Sequence, residues 1–137
     1  MNKTNISFSI LLFFCINATG QVPSALDAYD SLRIKWKNIL TGANTSYSEK
    51  YVDAKVAYIT KDAQANWDKL EKHTDRAFLW QDLASTTISA EITYAYRRIY
   101  TMALAYNLPS SYLKGDKILR DDIVNALIWM DKNRYVK

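Results

Sequence analysis

The sequence is poor in cysteine, glycine and proline: its 137 residues include one cysteine, three glycines and two prolines. The cysteine, Cys15, lies in a leader-like stretch, so the rest of the chain has no disulfide and must be stabilised by packing. So few turn-forming residues, with abundant Ala, Leu, Ile and Lys, argue against a many-stranded β fold and favour helices. The composition and length predict a single all-α domain.

The chain also lacks clustered basic charge and has only one histidine. Its formal net charge is +4, without the block of Lys and Arg that is typical of nucleic-acid-binding proteins. The sequence shows no metal-ligand spacing, no glycine-rich phosphate loop and no Ser-His-Asp set. We therefore predict no metal, no cofactor and no nucleic-acid partner, and we interpret His73 as a polar residue at a helix C-terminus.

Residues 1–20 have the pattern of a signal peptide. A lysine near the start precedes an apolar run over 10–16 that is too short to span a bilayer. Small residues occupy the two positions that a signal peptidase reads, which predicts cleavage before Gln21. Phe14 stands before Cys15 where a lipoprotein needs a small residue. These features predict a bacterial protein that is secreted or periplasmic and has no membrane attachment after cleavage.

Apolar spacing predicts four helices, over about 24–40, 48–73, 86–106 and 116–133. Helices of this length favour antiparallel hairpins. The expected core-facing stripes are Leu26, Tyr29, Leu32, Trp36 and Ile39; Val52, Val56, Ile59, Ala63, Trp67 and Leu70; Ile88, Ile92, Ala95, Ile99, Met102 and Tyr106; and Leu119, Ile123, Ala126, Leu127 and Met130. A second apolar face on the third helix, which includes Tyr94 and Tyr100, indicates that further protein packs beside it.

The aromatic residues are predicted to pack rather than to bind sugar. Three large apolar residues at 78–80 suggest that the connector over about 75–83 is tucked under the helices. The four tryptophans could stack on sugars, but helical spacing favours core packing for Trp36 and Trp67, and we extend this interpretation to Trp80 and Trp129.

The best cationic pair for a polyanion is Arg97-Arg98. Successive residues of a helix point about 100° apart, so these two side chains cannot both face one ligand. We expect one of them to pair with a buried acid such as Asp30 or Asp82, which would be a structural role.

Six strings in order resemble polysaccharide lyase family 8, which includes hyaluronate, chondroitin AC and xanthan lyases. The resemblance covers nearly all of the chain after the leader. The strings are Asp27-Ala28-Tyr29-Asp30-Ser31-Leu32-Arg33-Ile34-Lys35-Trp36 leading to Leu40-Thr41-Gly42; Leu79-Trp80-Gln81-Asp82-Leu83; the helix from Ile92-Thr93 through Tyr96-Arg97-Arg98-Ile99 to Tyr106; Asn107-Leu108-Pro109-Ser110-Ser111 with Gly115; Ala126-Leu127-Ile128-Trp129-Met130; and Asn133-Arg134-Tyr135.

The resemblance implies that residues 21–137 are the truncated N-terminal part of an incomplete α/α toroid, which binds an anionic polysaccharide of hyaluronan, chondroitin or xanthan type in a cleft. It implies β-elimination at an acidic sugar. The family's catalytic Asn, His, Tyr and Arg lie downstream of the last matched string, so we predict no catalytic residue in this chain and no activity alone. Tyr112 and Tyr135, in or near loops, are weak candidates for a cleft edge. The alternative is a non-enzymatic helical carbohydrate-binding module or a decayed lyase remnant.

Overall fold

The computed structural model of the protein describes residues 27–134, which form four α-helices and one short 3-10 helix. The elements are α1 (Ala28–Thr41), α2 (Lys50–Asp68), the 3-10 helix (Gln81–Leu83), α3 (Ser89–Asn107) and α4 (Lys117–Arg134). This part of the chain contains no strand, so the all-α prediction is confirmed. The signal-peptide pattern, Leu26 and Tyr135 lie outside the described residues.

Helices α2 and α4 both pack against α3, and each runs antiparallel to it. The start of α2 meets the residue after α3, because Val56 and Leu108 line one cavity. The end of α2 meets the first half of α3, where Asn66 and Arg97 share a groove. The end of α4 meets the residues just before α3, because Arg134 donates to the carbonyl oxygens of Leu83 and Ser85. The predicted antiparallel arrangement is therefore present for α2 with α3 and for α3 with α4, and α3 contacts each of the other helices.

The connector between α2 and α3 is longer than the sequence predicts. Helix α2 ends at Asp68, because the chain turns back and the Glu71 amide donates to the Leu79 carbonyl oxygen at 2.8 Å. The prediction that His73 lies at a helix C-terminus is therefore wrong: it lies in the connector with its side chain 85% exposed. Helix α3 begins only at Ser89, because the Ser85 hydroxyl accepts from the amides of residues 87 and 88.

Local sequence explains both ends of α1. Asp27 caps the helix and forms a reciprocal capping box with Asp30, whose amide donates to Asp27 Oδ1 at 2.6 Å. Such a cap stabilises a helix by about 0.5–2 kcal/mol. The helix stops at Gly42, which adopts φ 63° and lets its amide and that of Ala43 bond the last carbonyl groups. Both roles follow from residue types that favour these backbone conformations.

The core lies between α2, α3, α4 and the connector. Its largest fully buried side chains include Trp80, Met102, Leu119 and Met130. Trp80 is 1% exposed and its Nε1 donates to the Asn66 carbonyl oxygen at 2.8 Å, so the predicted packing role of Trp80 and the tucked connector are confirmed. Trp67 and Trp129 are half-buried and pack against this core.

The predicted core face of α1 is wrong. Tyr29, Leu32, Trp36 and Ile39 are all exposed, Trp36 by 54%, and Thr41 is the buried residue of this helix. The stripe has the correct helical period, but only the end of α1 reaches α2 and α3 among the described residues. Periodicity identifies a face that can be buried, not what buries it.

Two residues at the edges of other stripes are also exposed. Ile88 precedes the first turn of α3, and Leu127 lies at the margin of the buried face of α4. The rest of the stripes on α2, α3 and α4 is buried or half-buried. Within 27–134, no helix has the length and apolar character that a membrane span requires.

Candidate functional site

The Arg97-Arg98 pair divides as predicted into one structural and one free guanidinium. Arg98 forms a bidentate ion pair with Asp82, with Nη1–Oδ1 and Nη2–Oδ2 distances of 2.8 and 2.5 Å. Its guanidinium also lies 5.3 Å from the Trp80 ring centroid. The hydrogen bond from Arg98 lowers the pKa of the Asp82 carboxyl group below its ordinary value. The predicted burial of the acid is wrong, because the Asp82 side chain is 62% exposed.

The Arg97 guanidinium lies apart from the Arg98–Asp82 ion pair. It forms no ion pair with any described residue, and its guanidinium carbon lies 5.9 Å from the centroid of the Tyr94 ring. Both residues line a groove of about 430 Å³ between α2 and α3. We call it the Arg97 groove; it is lined by Asp62, Asn66, Asp82, Leu83, Tyr94, Arg97, Arg98 and Thr101.

The Arg97 groove offers the groups that bind a sugar but has no excess of positive charge. Tyr94 is 50% exposed and provides an aromatic face, while Asn66 and Thr101 provide polar groups. Its two arginines are balanced by the carboxylates of Asp62 and Asp82. Because its charges are balanced, this groove gives no long-range attraction for a polyanion.

The residues singled out from the sequence do not converge on one site. Tyr112 is 71% exposed in the connector between α3 and α4 and makes no hydrogen bond or ring contact with a described residue. Tyr135 lies outside the described residues. The closest ionisable partner of His73 is Glu71, at 3.9 Å from Nε2 to Oε1. Both tyrosine assignments stay predictions.

Sequence reasoning missed a second cavity, which carries more positive charge than the Arg97 groove. It has a volume of about 570 Å³ and lies between the α2–α3 connector and α4. We call it the basic cavity; it is lined by Lys72, Thr74, Asp75, Arg76, Asn125, Ile128, Trp129, Lys132 and Asn133. The lining residues of α4 share one helical face, which the spacing in the sequence indicates. The lining residues of the connector reach the cavity only through folding, so the sequence gives no sign of them.

A metal centre is not supported by the geometry of residues 27–134. This range holds no group of three or more His, Cys, Asp or Glu side chains close enough to bind an ion. The isolated position of His73 agrees with this finding, since metal sites combine several such ligands.

Comparison with known proteins identifies the family. Residues 36–137 match the model of the N-terminal α-helical domain of polysaccharide lyase family 8. The chain is 32% identical over 115 residues to a xanthan lyase of Bacillus sp. (strain GL1), covering 83% of this chain and 12% of that protein. It is 33% identical over 108 residues to the polysaccharide lyase 8 family protein HylA of Enterococcus faecalis (strain ATCC 700802 / V583), covering 78% of this chain and 8% of that protein.

A solved structure gives the same result for the fold. The xanthan lyase of Paenibacillus superposes with a TM-score of 0.72 at 40% sequence identity, covering 77% of this chain and 10% of that chain. A hyaluronate lyase of Thermasporomyces composti is 27% identical over 119 residues, covering 82% of this chain and 15% of that protein. The chain thus spans about a tenth of the length of these relatives, and it shares their N-terminal helical region.

Proposed function

Because the chain belongs to polysaccharide lyase family 8 and matches its N-terminal α-helical domain, we propose that it forms the helical start of a secreted lyase. The lyase would cleave uronate-containing polysaccharides by β-elimination. The observation that carries this proposal is the family match, which extends over the second part of α1 and all of α2, α3 and α4. The relatives named for xanthan and hyaluronate support an anionic polysaccharide as substrate.

This part of the protein is proposed to be inactive by itself. β-Elimination requires a neutralised carboxylate, a base that reaches the acidic C–H and an acid at the leaving oxygen, all at one sugar. In the part of the chain that the structure describes, His73 is solvent-exposed and has only Glu71 beside it. Tyr94 and Arg97 share a groove, but no histidine lines it. The described residues therefore supply a sugar-compatible groove and not a set of groups for proton transfer.

Exposed apolar faces support the proposal that the rest of a lyase toroid is the partner of these helices. On α1 the exposed stripe includes Leu32 and Trp36, and on α4 it includes Val124 and Leu127. Tyr94 and Tyr100 expose about half of their surface on α3. Large apolar patches of this kind usually mark an interface. We expect the isolated protein to self-associate in light scattering, and a longer protein with the following helices to be monomeric.

The lyase assay tests the proposal directly. The purified protein and a version extended through the downstream family motifs are mixed separately with hyaluronan, chondroitin sulfate and xanthan. Absorbance of the unsaturated uronate product is then followed. We expect no turnover from the 137-residue chain and turnover from the extended protein on one of the polymers. Turnover by the short chain that is abolished by His73→Ala would show that the catalytic site has been misplaced.

The gene and the secreted product test the remaining parts. Reading the DNA beyond the codon for Lys137 should show a continuing frame with paired tryptophans, then the Asn, His and Tyr motifs. A stop codon followed by unrelated sequence would favour the carbohydrate-binding module or the decayed remnant. Expressed in a bacterial host, the mature protein should begin at or near Gln21. An intact Met1, or a lipid on Cys15, in the mass spectrum would contradict secretion by signal-peptide cleavage.

A further inference from the structure

The basic cavity has an excess of positive charge at its walls. Lys72, Arg76 and Lys132 line it, against the single lining carboxylate of Asp75. Lys72 is partly neutralised by Asp122, at 3.5 Å from Nζ to Oδ2. Lys132 makes no ion pair or hydrogen bond with any described residue. Among the lining residues three cations therefore face one carboxylate, and the nearby Asp122 and Glu71 offset part of this excess.

Arg76 is held in place yet incompletely satisfied. Its Nη2 donates to the Asn125 carbonyl oxygen at 3.0 Å, and its own carbonyl oxygen accepts from Trp129 Nε1 at 3.2 Å. Its Nε is buried and has no hydrogen-bond partner among the described residues. Burial lowers the pKa of the guanidinium, and Asp122 and Glu71 oppose this. Since arginine stays charged in proteins, a partly desolvated cation without an ion pair stands at the cavity wall.

The cavity also has the surfaces that a sugar ring needs. Trp129 is half-buried, and its ring is fixed by the bond to Arg76 and by the Arg134 guanidinium, 5.6 Å from its centroid. Ile128 is 47% exposed beside it. Asn125 and Asn133 also line the cavity, and the Asn133 side-chain amide donates to the Trp129 carbonyl oxygen at 2.8 Å. Apolar ring faces with amides and cations around them match the alternating CH faces, hydroxyls and carboxylates of an acidic sugar.

We propose that the basic cavity between the α2–α3 connector and α4 is a binding subsite for a uronate-containing oligosaccharide, with Lys132 and Arg76 facing a sugar carboxylate and Trp129 beside the ring. Only the class of polymer rests on the proposed function; the site itself rests on the charge and shape of the cavity. Arg76 is partly desolvated, so its attraction for a carboxylate is less screened by water, while the exposed Lys132 adds a second positive charge. The neutral Arg97 groove lacks this charge excess.

The test is a titration of the purified protein with hyaluronan hexasaccharide, using the uncharged cellohexaose as the comparison ligand. Isothermal calorimetry measures affinity, and the indole N–H signal of Trp129, assigned with Trp129→Phe, locates binding by NMR. Lys132→Gln should weaken hyaluronan binding by about fivefold or more. Lys117→Gln is the matched control, because it removes the same charge from the exposed first turn of the same helix outside the cavity.

The outcomes separate the possibilities. The proposal is supported if Lys132→Gln weakens binding, Lys117→Gln changes it less than about twofold, and the Trp129 indole signal shifts. It is overturned if both lysine variants lose affinity equally, if cellohexaose binds as well, if Arg97→Gln alone abolishes binding, or if the wild-type protein does not bind. Circular dichroism confirms that each variant is folded. Because this readout is binding alone, failure of the lyase assay would leave the result unaffected.

Discussion

Truncation of Trp80 should destabilise the protein far more than truncation of Trp36. Trp80 is 1% exposed, donates from Nε1 to the Asn66 carbonyl oxygen and lies under the Arg98 guanidinium. Trp80→Ala should cost roughly 3–5 kcal/mol from lost burial and the cavity. The part-buried Asn66 carbonyl oxygen left without its donor adds about 1 kcal/mol. At a slope of about 3–5 °C per kcal/mol for a domain of this size, Tm should fall by about 12–30 °C.

Trp36→Ala is the matched comparison. Trp36 is 54% exposed on α1 and makes no hydrogen bond or ring contact with a described residue, so its truncation should cost less than about 1 kcal/mol. Trp80→Phe, which keeps an aromatic ring and removes the Nε1 donor, should fall between the two at about 1–2 kcal/mol. Urea unfolding followed by circular dichroism measures all three. Equal destabilisation by Trp36→Ala and Trp80→Ala would refute the assignment of the core to α2, α3, α4 and the connector.

Two further predictions concern the Arg98–Asp82 pair and the glycine turns. Asp82→Asn should lower stability at pH 7 by about 0.5–1 kcal/mol, since the Asp82 carboxylate is largely solvent-exposed. Because the folded-state pKa of Asp82 is lowered, the contribution is present above the unfolded value and is lost as pH falls through the lower folded one. The difference in Tm should therefore shrink as the pH falls below the unfolded value and vanish once the folded-state carboxylate is protonated, and a difference that stays constant over this acid range would contradict the ion-pair explanation. Gly42→Ala should destabilise the protein more than Gly115→Ala in urea unfolding. Both glycines have positive φ, so an alanine at either position costs about 1–2 kcal/mol in backbone strain. Only at Gly42 would the new Cβ also lie 2.8 Å from Thr45 Oγ1. Equal costs would mean that Thr45 yields freely.

The sequence predicted those parts of the fold in which local pattern and final environment agree. The stripe through Val56 and Ala63 is buried because α3 lies against it. Gly42 ends α1 because the helix terminus requires a left-handed backbone conformation, which glycine adopts without strain. The same kind of stripe on α1 predicts that Trp36 is buried, but Trp36 is exposed. Burial depends on a neighbouring element, which periodicity cannot identify. The end of α2 was placed too late because Leu70 keeps the apolar spacing while the chain has already turned toward Leu79.

The candidate sites divide in the same way. The opposed roles of Arg97 and Arg98 follow from the 100° between successive helical residues, so this division was visible before the fold. The basic cavity could not be predicted from the sequence. Arg76 and Lys132 are far apart in sequence and come together only because the connector packs on α4. A single charged residue in a loop gives no signal of its own, and the cavity arises from the tertiary arrangement.

The polar contacts that tie the connector to α4 all close loops of similar length. They join Trp67 to Asp122, residue 76 to residues 125 and 129, and Arg134 to the carbonyl oxygens of Leu83 and Ser85, over separations of 49 to 55 residues. Each of them spans the whole of α3 in sequence and joins the same two parts of the fold, so we expect the end of α2, the connector and α4 to open together as one unit in hydrogen exchange. Helix α1 shares none of these links and has one buried residue. Its amide protons should therefore exchange in a separate, lower-energy event while the rest of the domain remains closed.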